Sequence, residues 1–286
     1  MLAKPRWIAS IVALWAGVAA AQGARPVETV PGMPPVPDPT NLYSETRSDK
    51  LSPVVAEALK RLDFRDPQTM AMQYSIAVPQ CKGINHADFS IDGRIAIFTC
   101  EFQGSLARID LANRKVLGYL KLSRGGMPQD IRSSPDGSTY FVADMKAGGV
   151  FVVDGATFTE TAFIKTGIGT HGLYPSRDGT KLYVANRGTS HVYGPPKGKG
   201  SVSVLDFATR QIVATWPIPG GGSPDMGNVS IDGKVLWLSG RFDNLVYAID
   251  TTSGEVRSIR VGKEPHGLTV WPQPGRYSLG HTGNMR

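Results

Sequence analysis

Short runs of alternating apolar and polar residues recur along most of this chain. "KLYVAN" at Lys181–Asn186, "SVSVLDF" from Ser201 and "IVATWPI" from Ile212 each repeat on a period of two. That period predicts half-buried β-strands. Two markers order the strands. A short apolar run ending in Asp recurs at Asp63, Asp110, Asp154, Asp206 and Asp250, with spacings of 47, 44, 52 and 44. An Asp-Gly pair recurs at Asp92, Asp136, Asp178 and Asp232. Each pair reads as a two-residue hairpin turn, because Gly accepts a positive φ at little cost. A unit of about 44 residues then holds four strands, A to D; in one unit strand A is "HGLYPS" from His171 and B, C and D are the three runs quoted above. A four-stranded unit cannot bury both of its faces alone, but units stacked radially can. The predicted fold is therefore all-β: a β-propeller of four-stranded blades, about five of them or an incomplete ring.

The first 50 residues depart from this pattern. Residues 1–21 combine Lys4 and Arg6, an uncharged apolar stretch from Trp7 to Ala20, and Ala19-Ala20-Ala21. This predicts a cleaved signal peptide and a secreted or periplasmic protein, with an uncleaved N-terminal anchor as the alternative. The stretch is shorter than the roughly 20 residues of a spanning helix, so the processed chain is expected not to span a membrane. Residues 22–50 contain Pro26, Pro31, Pro34, Pro35, Pro37 and Pro39 and read as an extended tether. The propeller is assigned to residues 51–286. Residues 52–58 fit a helix or a strand; for 59–64 strand is preferred.

Composition narrows the class further. Gly 33 and Pro 21 with only 19% charged residues fit a turn-rich globular chain, not a disordered or coiled-coil one. The net charge of +7 includes Lys4 and Arg6, and without a Lys/Arg cluster it gives little reason to expect nucleic acid.

The segments "SPDGSTYFVAD", "SRDGTKLYVANRG" and "VGKEPHGLTV" resemble the YVTN-type repeat of the YncE-like β-propellers. The haem-d1 domain of nitrite reductase and several quinoprotein subunits are similar in fold. The resemblance covers residues 55–286 and implies the fold rather than a function. That family commonly closes with seven blades, whereas this chain has five Asp markers. Four complete blades plus a composite one, joining a C-terminal A strand at His266 and a B strand "RYSLGH" to N-terminal B, C and D strands, would close five; an open arc fits equally.

Candidate chemistry gathers where the A strands begin. Aligned on Asp-Gly, the opening residues are Asn85, Gln129, His171, Asp225 and His266, followed by His86, Asp130, Gly172, Met226 and Gly267. Equivalent inner-strand positions converge on the propeller axis. The expectation is that any specific ligand or metal touches His171, His266 and at least one of His86, Asp130 or Asp225. Imidazole and carboxylate suit Zn, Cu or Fe, but the preferred reading is a polar channel lining, with no cofactor. Arg187 and Arg241 follow strand B in two blades. They read as an anion grip or as solvated loop residues, the second preferred. The insertion at 188–201 is expected to rise from the same face. Cys81, entering strand A, and Cys100, ending strand B of that blade, are expected to form a disulfide, as export permits.

Other motifs fail on context. Gly167, Gly169 and Gly172 spell GxGxxG but precede a strand. No CxxCH, HExxH or GxSxG occurs. The expected function is a non-catalytic binding or scaffold module, meeting a protein or small-molecule partner at the channel mouth. The alternative is a metal-, haem- or quinone-dependent enzyme subunit, a lactonase-like hydrolase or an oxidoreductase.

Overall fold

The computed structural model describes residues 42–43, 59–66, 68–191, 199–268 and 270. Among them the chain is almost entirely β. A first sheet holds β1 (Leu42–Tyr43), β2 (Arg61–Arg65) and β3 (Met72–Ala77). Four four-stranded sheets follow, each in sequential order. They are β4 (Ile84–Phe89), β5 (Ile95–Cys100), β6 (Ser105–Asp110) and β7 (Lys115–Lys121); then β8 (Pro128–Ser133), β9 (Thr139–Asp144), β10 (Gly149–Asp154) and β11 (Thr159–Lys165). The last two are β12 (Thr170–Pro175), β13 (Lys181–Asn186), β14 (Ser201–Asp206) and β15 (Ile212–Pro217); and β16 (Pro224–Val229), β17 (Val235–Gly240), β18 (Leu245–Asp250) and β19 (Val256–Arg260). All pairings between the named strands are antiparallel. One 3₁₀ turn, η1 (Glu101–Gln103), follows β5.

The core explains why the sheets stack radially. It divides into four clusters, each lying between two successive sheets. Leu62, Phe64 and Ile76 pack with Phe89, Phe98 and Ile109. Ile97 and Leu106 meet Tyr140, Val142 and Phe151. Phe141 and Val152 meet Leu182 and Leu205, and Tyr183 and Val204 meet Leu236 and Tyr247. Each blade thus buries both faces only by having neighbours. The inner strands β8 and β16 are buried throughout, whereas the outermost strands β7, β11, β15 and β19 have no fully buried residue. The innermost strands lie side by side, β4 on β8, β8 on β12 and β12 on β16.

The turn face refines the sequence reading twice. The Asp-Gly hairpins are four-residue loops, not two-residue ones. Ser176 N donates to Lys181 O at 2.8 Å and Gly179 N to Ser176 O at 3.0 Å, with only Gly179 at positive φ (69°). Inside this loop Ser176 Oγ and Thr180 N both donate to Asp178 Oδ1. Ser90, Ser134 and Ser230 make the same bond to Asp92, Asp136 and Asp232. The signal is therefore Ser-x-Asp-Gly, and the loop length follows from the Ser hydroxyl closing onto the Asp.

The other correction concerns the first Asp marker. Asp63 is a buried residue inside β2 that faces Arg61 and Ser75. The turn-forming aspartate of this blade is Asp66, whose Oδ1 accepts Gln68 N and Thr69 N. Asp110, Asp154, Asp206 and Asp250 bind the backbone two or three residues on in the same way. Measured from Asp66, the first spacing becomes 44, matching two of the other three.

Segment 261–268, which includes His266, carries no strand. The "RYSLGH" run, the signal segment, residues 52–58 and residues 192–198 of the insertion lie outside the described residues; of the tether only Leu42–Tyr43 is described, and it corrects the tether reading there by pairing as β1 with β2. No helix among the described residues is long and apolar enough to cross a membrane.

Candidate functional site

The site is built by a defect repeated in every described inner strand. The A–B register shifts between Ile84 and Ala87, Pro128 and Ile131, Thr170 and Leu173, and Pro224 and Gly227. A bulge of this kind takes two consecutive residues out of the ladder and re-aims them. The pairs released are Asn85 with His86, Gln129 with Asp130, His171 with Gly172, and Asp225 with Met226. Hydroxyls of the adjacent strand take up freed backbone donors: His86 N donates to Thr99 Oγ1 at 3.0 Å and Met226 N to Ser239 Oγ at 3.2 Å. The bulges therefore cost no unsatisfied amide at these two points.

All seven mouth residues expected from the sequence come together, as two His–Asp pairs bridging successive blades. His86 Nδ1 on β4 lies 3.5 Å from Asp130 Oδ1 on β8, and Arg132 Nη1 donates to the same oxygen at 2.6 Å. Leu173 N on β12 donates to Asp130 Oδ2 at 2.9 Å. His171 Nδ1 lies 2.8 Å from Asp225 Oδ1 on β16. Around the other oxygen of Asp225 stand Arg187 Nε at 3.7 Å, Arg241 Nη1 at 4.0 Å and His266 Nε2 at 4.0 Å. The rings of His86 and His171 meet edge to face, 5.8 Å apart, and join the two groups.

Arg187 corrects the solvated-loop reading: it is 1% exposed. The Arg241 side chain is 16% exposed. Both guanidiniums lie over the Phe242 ring, at 5.1 and 5.5 Å from its centroid, a placement that favours cations.

Charge in this group is set by burial and by neighbours. Burial alone would raise the Asp225 carboxyl; the facing His171, Arg187 and His266 outweigh it and hold it far below the usual carboxylate range. Asp130 is likewise held low against its burial by Arg132 and His86. His171 is pushed down by burial, which outweighs the opposing pull of Asp225. Burial, with Arg241 adding to it, pushes His266 down to about 4. Both imidazoles are thus neutral at pH 7. Among the described residues, the ion pairs at Asp225 then set two guanidinium charges against one carboxylate.

Sequence reasoning missed four members of the site. Glu101, the first residue of η1, is 7% exposed and accepts Asn85 Nδ2 at 3.1 Å and Gln129 Nε2 at 2.9 Å. Met145 occupies the equivalent position one blade on. A signal for both was present: Glu101, Met145, Arg187 and Arg241 each stand nine residues after the Asp of an Asp-Gly pair. Arg132 and Phe242 had no such signal. Among the described residues no three His, Cys, Asp or Glu side chains are grouped as a metal ion would require. Cys81 and Cys100 are joined by a disulfide, Cα–Cα 4.9 Å, immediately before Glu101.

The fold and this axial site define the chain as a β-propeller. The YNCE-like beta-propeller family model matches residues 187–274. Hydrazine synthase of Kuenenia stuttgartiensis is similar over 73% of this chain and 64% of its own, at 20% identity and TM-score 0.60. Virginiamycin B lyase from Staphylococcus aureus is similar over 75% and 68%, at 16% identity and TM-score 0.61. The dihydro-heme d1 dehydrogenase NirN, solved in complex with DHE, is similar over 73% and 43%, at 19% identity and TM-score 0.56. The chain thus spans less than two thirds of the hydrazine synthase and NirN chains, and these identities establish a shared fold. No curated protein matches the sequence.

Proposed function

We propose that this chain is an exported binding module that takes a small anion, a carboxylate in the first instance, at its mouth. The observation that carries the reading is the excess of fixed positive charge at Asp225. Arg187 and Arg241 share one carboxylate, at 3.7 and 4.0 Å, across one aromatic ring. Guanidinium groups are suited to carboxylates because their planar fork matches two oxygens at once. Both imidazoles add hydrogen-bonding capacity without adding charge.

Titration of the purified protein with acetate, and with inorganic phosphate as the competing anion class, tests this directly. Arg241→Gln should weaken binding at least tenfold, which is about 1.4 kcal/mol. Unchanged affinity in that variant would remove the basis of the reading.

A catalytic reading has one observation in its favour. His171 is neutral, buried and 2.8 Å from a carboxylate through Nδ1, the arrangement of an oriented general base. The solved relatives include a lyase and a dehydrogenase by name. A visible absorption band or stoichiometric metal in the purified chain would favour this second reading.

A further inference from the structure

We propose that the ligand is a zwitterion whose ammonium sits on Glu101 while its carboxylate sits on Arg187 and Arg241. This inference rests on the anion reading above and adds a second pole to it.

Glu101 is a nearly buried carboxylate whose bonds are to neutral groups. Its side chain accepts from two carboxamides, Asn85 and Gln129, and these are tied to each other at 3.3 Å. None of the ion pairs of the mouth includes it; among the described residues no basic nitrogen lies within 4.0 Å of it. Burying a charge without a partner is costly, and the turn does not demand one. The equivalent positions of the other three four-stranded blades hold Met145, Arg187 and Arg241, so among the described blades the acid is particular to this one.

Two features suit Glu101 to a cationic group. First, capacity remains. Each carboxylate oxygen offers two lone pairs and accepts one amide here, leaving room for two of the three donors of an ammonium. Second, the residue is held in place. Glu101 N donates to Gly83 O at 2.8 Å, and the preceding residue, Cys100, is bonded to Cys81. A fixed carboxylate loses little entropy on binding.

The two poles stand on one arc of inner strands. Inner strands β4, β8, β12 and β16 run in order around the axis. Glu101 and the two carboxamides stand at the β4–β8 end of that arc, Arg187 and Arg241 at the β12–β16 end. The Arg187 guanidinium is disfavoured by burial and supported by Asp225; it is pushed down again by Arg241 and supported in smaller measure by Glu101. Glu101 follows β5 and packs on β8, while Arg187 pairs with Asp225 on β16, so among the described residues no ion pair joins the two poles. A molecule with opposite charges at its ends neutralises both poles at once; a simple anion meets only one.

Calorimetric titration of the purified protein with straight-chain ω-amino acids, from glycine to 6-aminohexanoate, tests this against the carboxylic acid and the amine of each chain length. The series is needed because the best span is to be read from the data. One amino acid should bind at least tenfold more tightly than its matched acid. Glu101→Gln should abolish that preference, lowering the amino acid to the level of the acid, while Arg241→Gln should weaken both. Gln keeps an acceptor for one carboxamide, and the wild-type comparison needs no variant. If the acids bind and no amino acid binds better, or if the preference survives Glu101→Gln, the zwitterion inference is overturned and the anion reading stands. If neither series binds, both fall.

Discussion

The two faces of the propeller treat the same repeat in opposite ways. On the turn face each of the four four-stranded blades uses the same chemistry: Ser-x-Asp-Gly between strands A and B, and an Asp binding the backbone two or three residues on between C and D. On the mouth face every blade differs. The opening positions hold Asn85, Gln129, His171 and Asp225, and the positions after strand B hold Glu101, Met145, Arg187 and Arg241. Uniform chemistry marks what each blade needs in order to fold. Varied chemistry at matched positions marks what the fold leaves free to differ from blade to blade. The faces also differ in how they spread their load. Turn bonds are local and mostly exposed, whereas mouth bonds cross from blade to blade in burial.

This contrast predicts an order of mutational effects. Asp130→Asn should cost the most, about 3–5 kcal/mol in chemical denaturation, because Arg132 is left buried without its carboxylate. A loss under 1 kcal/mol would mean that the mouth network is not structural. Removing the Cys81–Cys100 disulfide, by a Cys81→Ser, Cys100→Ser double variant, closes no loop of 19 residues in the unfolded chain and should cost about 3 kcal/mol. An equal denaturation midpoint with and without the bond would refute it.

Gly179→Ala tests the turn face. It places a Cβ at φ +69°, 3.2 Å from Pro135 of the preceding blade, and should cost about 1–2 kcal/mol. If it cost as much as Asp130→Asn, the contrast between the faces would fail.

The smallest effect is on pH. His266 takes up its proton near pH 4 in the folded chain and near 6.5 when unfolded. Between those values the unfolded state binds more protons, so stability should fall as pH drops from about 6.5 towards 4. His171, also held low, acts in the same direction. The side chain of His266 is 39% exposed, so the slope is expected to be shallow. His266→Gln should flatten it, and a slope unchanged in that variant would assign the effect elsewhere.

Much of this was legible before any coordinates. The period-two runs placed β12 to β15 to within a residue or two, and alignment on Asp-Gly brought out Asn85, Gln129, His171 and Asp225 as one ring. Two things were not legible. Pattern cannot show a bulge, because the shift at Ile84/Ala87 and its equivalents depends on backbone pairing; yet the bulge is why His86 and Asp130 join their neighbours at the mouth. Nor can pattern show burial after a strand has ended. Arg187 has the surroundings of a loop residue in sequence, and is buried by neighbours from other blades, among them Asp225, Phe242 and Met145.

The repeated bulge has a consequence for how such a protein can change. A regular strand offers the axis every second side chain, so one rim position per blade would be open to selection. The bulge offers two in succession, giving eight on the four described inner strands. None of the eight belongs to a Ser-x-Asp-Gly loop or to the apolar clusters between blades. The eight differ in what they carry: Asp130 holds the buried Arg132 and the Leu173 amide and is part of the scaffold, whereas Asn85 bonds only to other side chains. The mouth is in this sense a separately addressable register, and libraries that vary its bulge positions while keeping Asp130 and Gly172 would leave the buried Arg132 pair and the space beside Tyr174 intact.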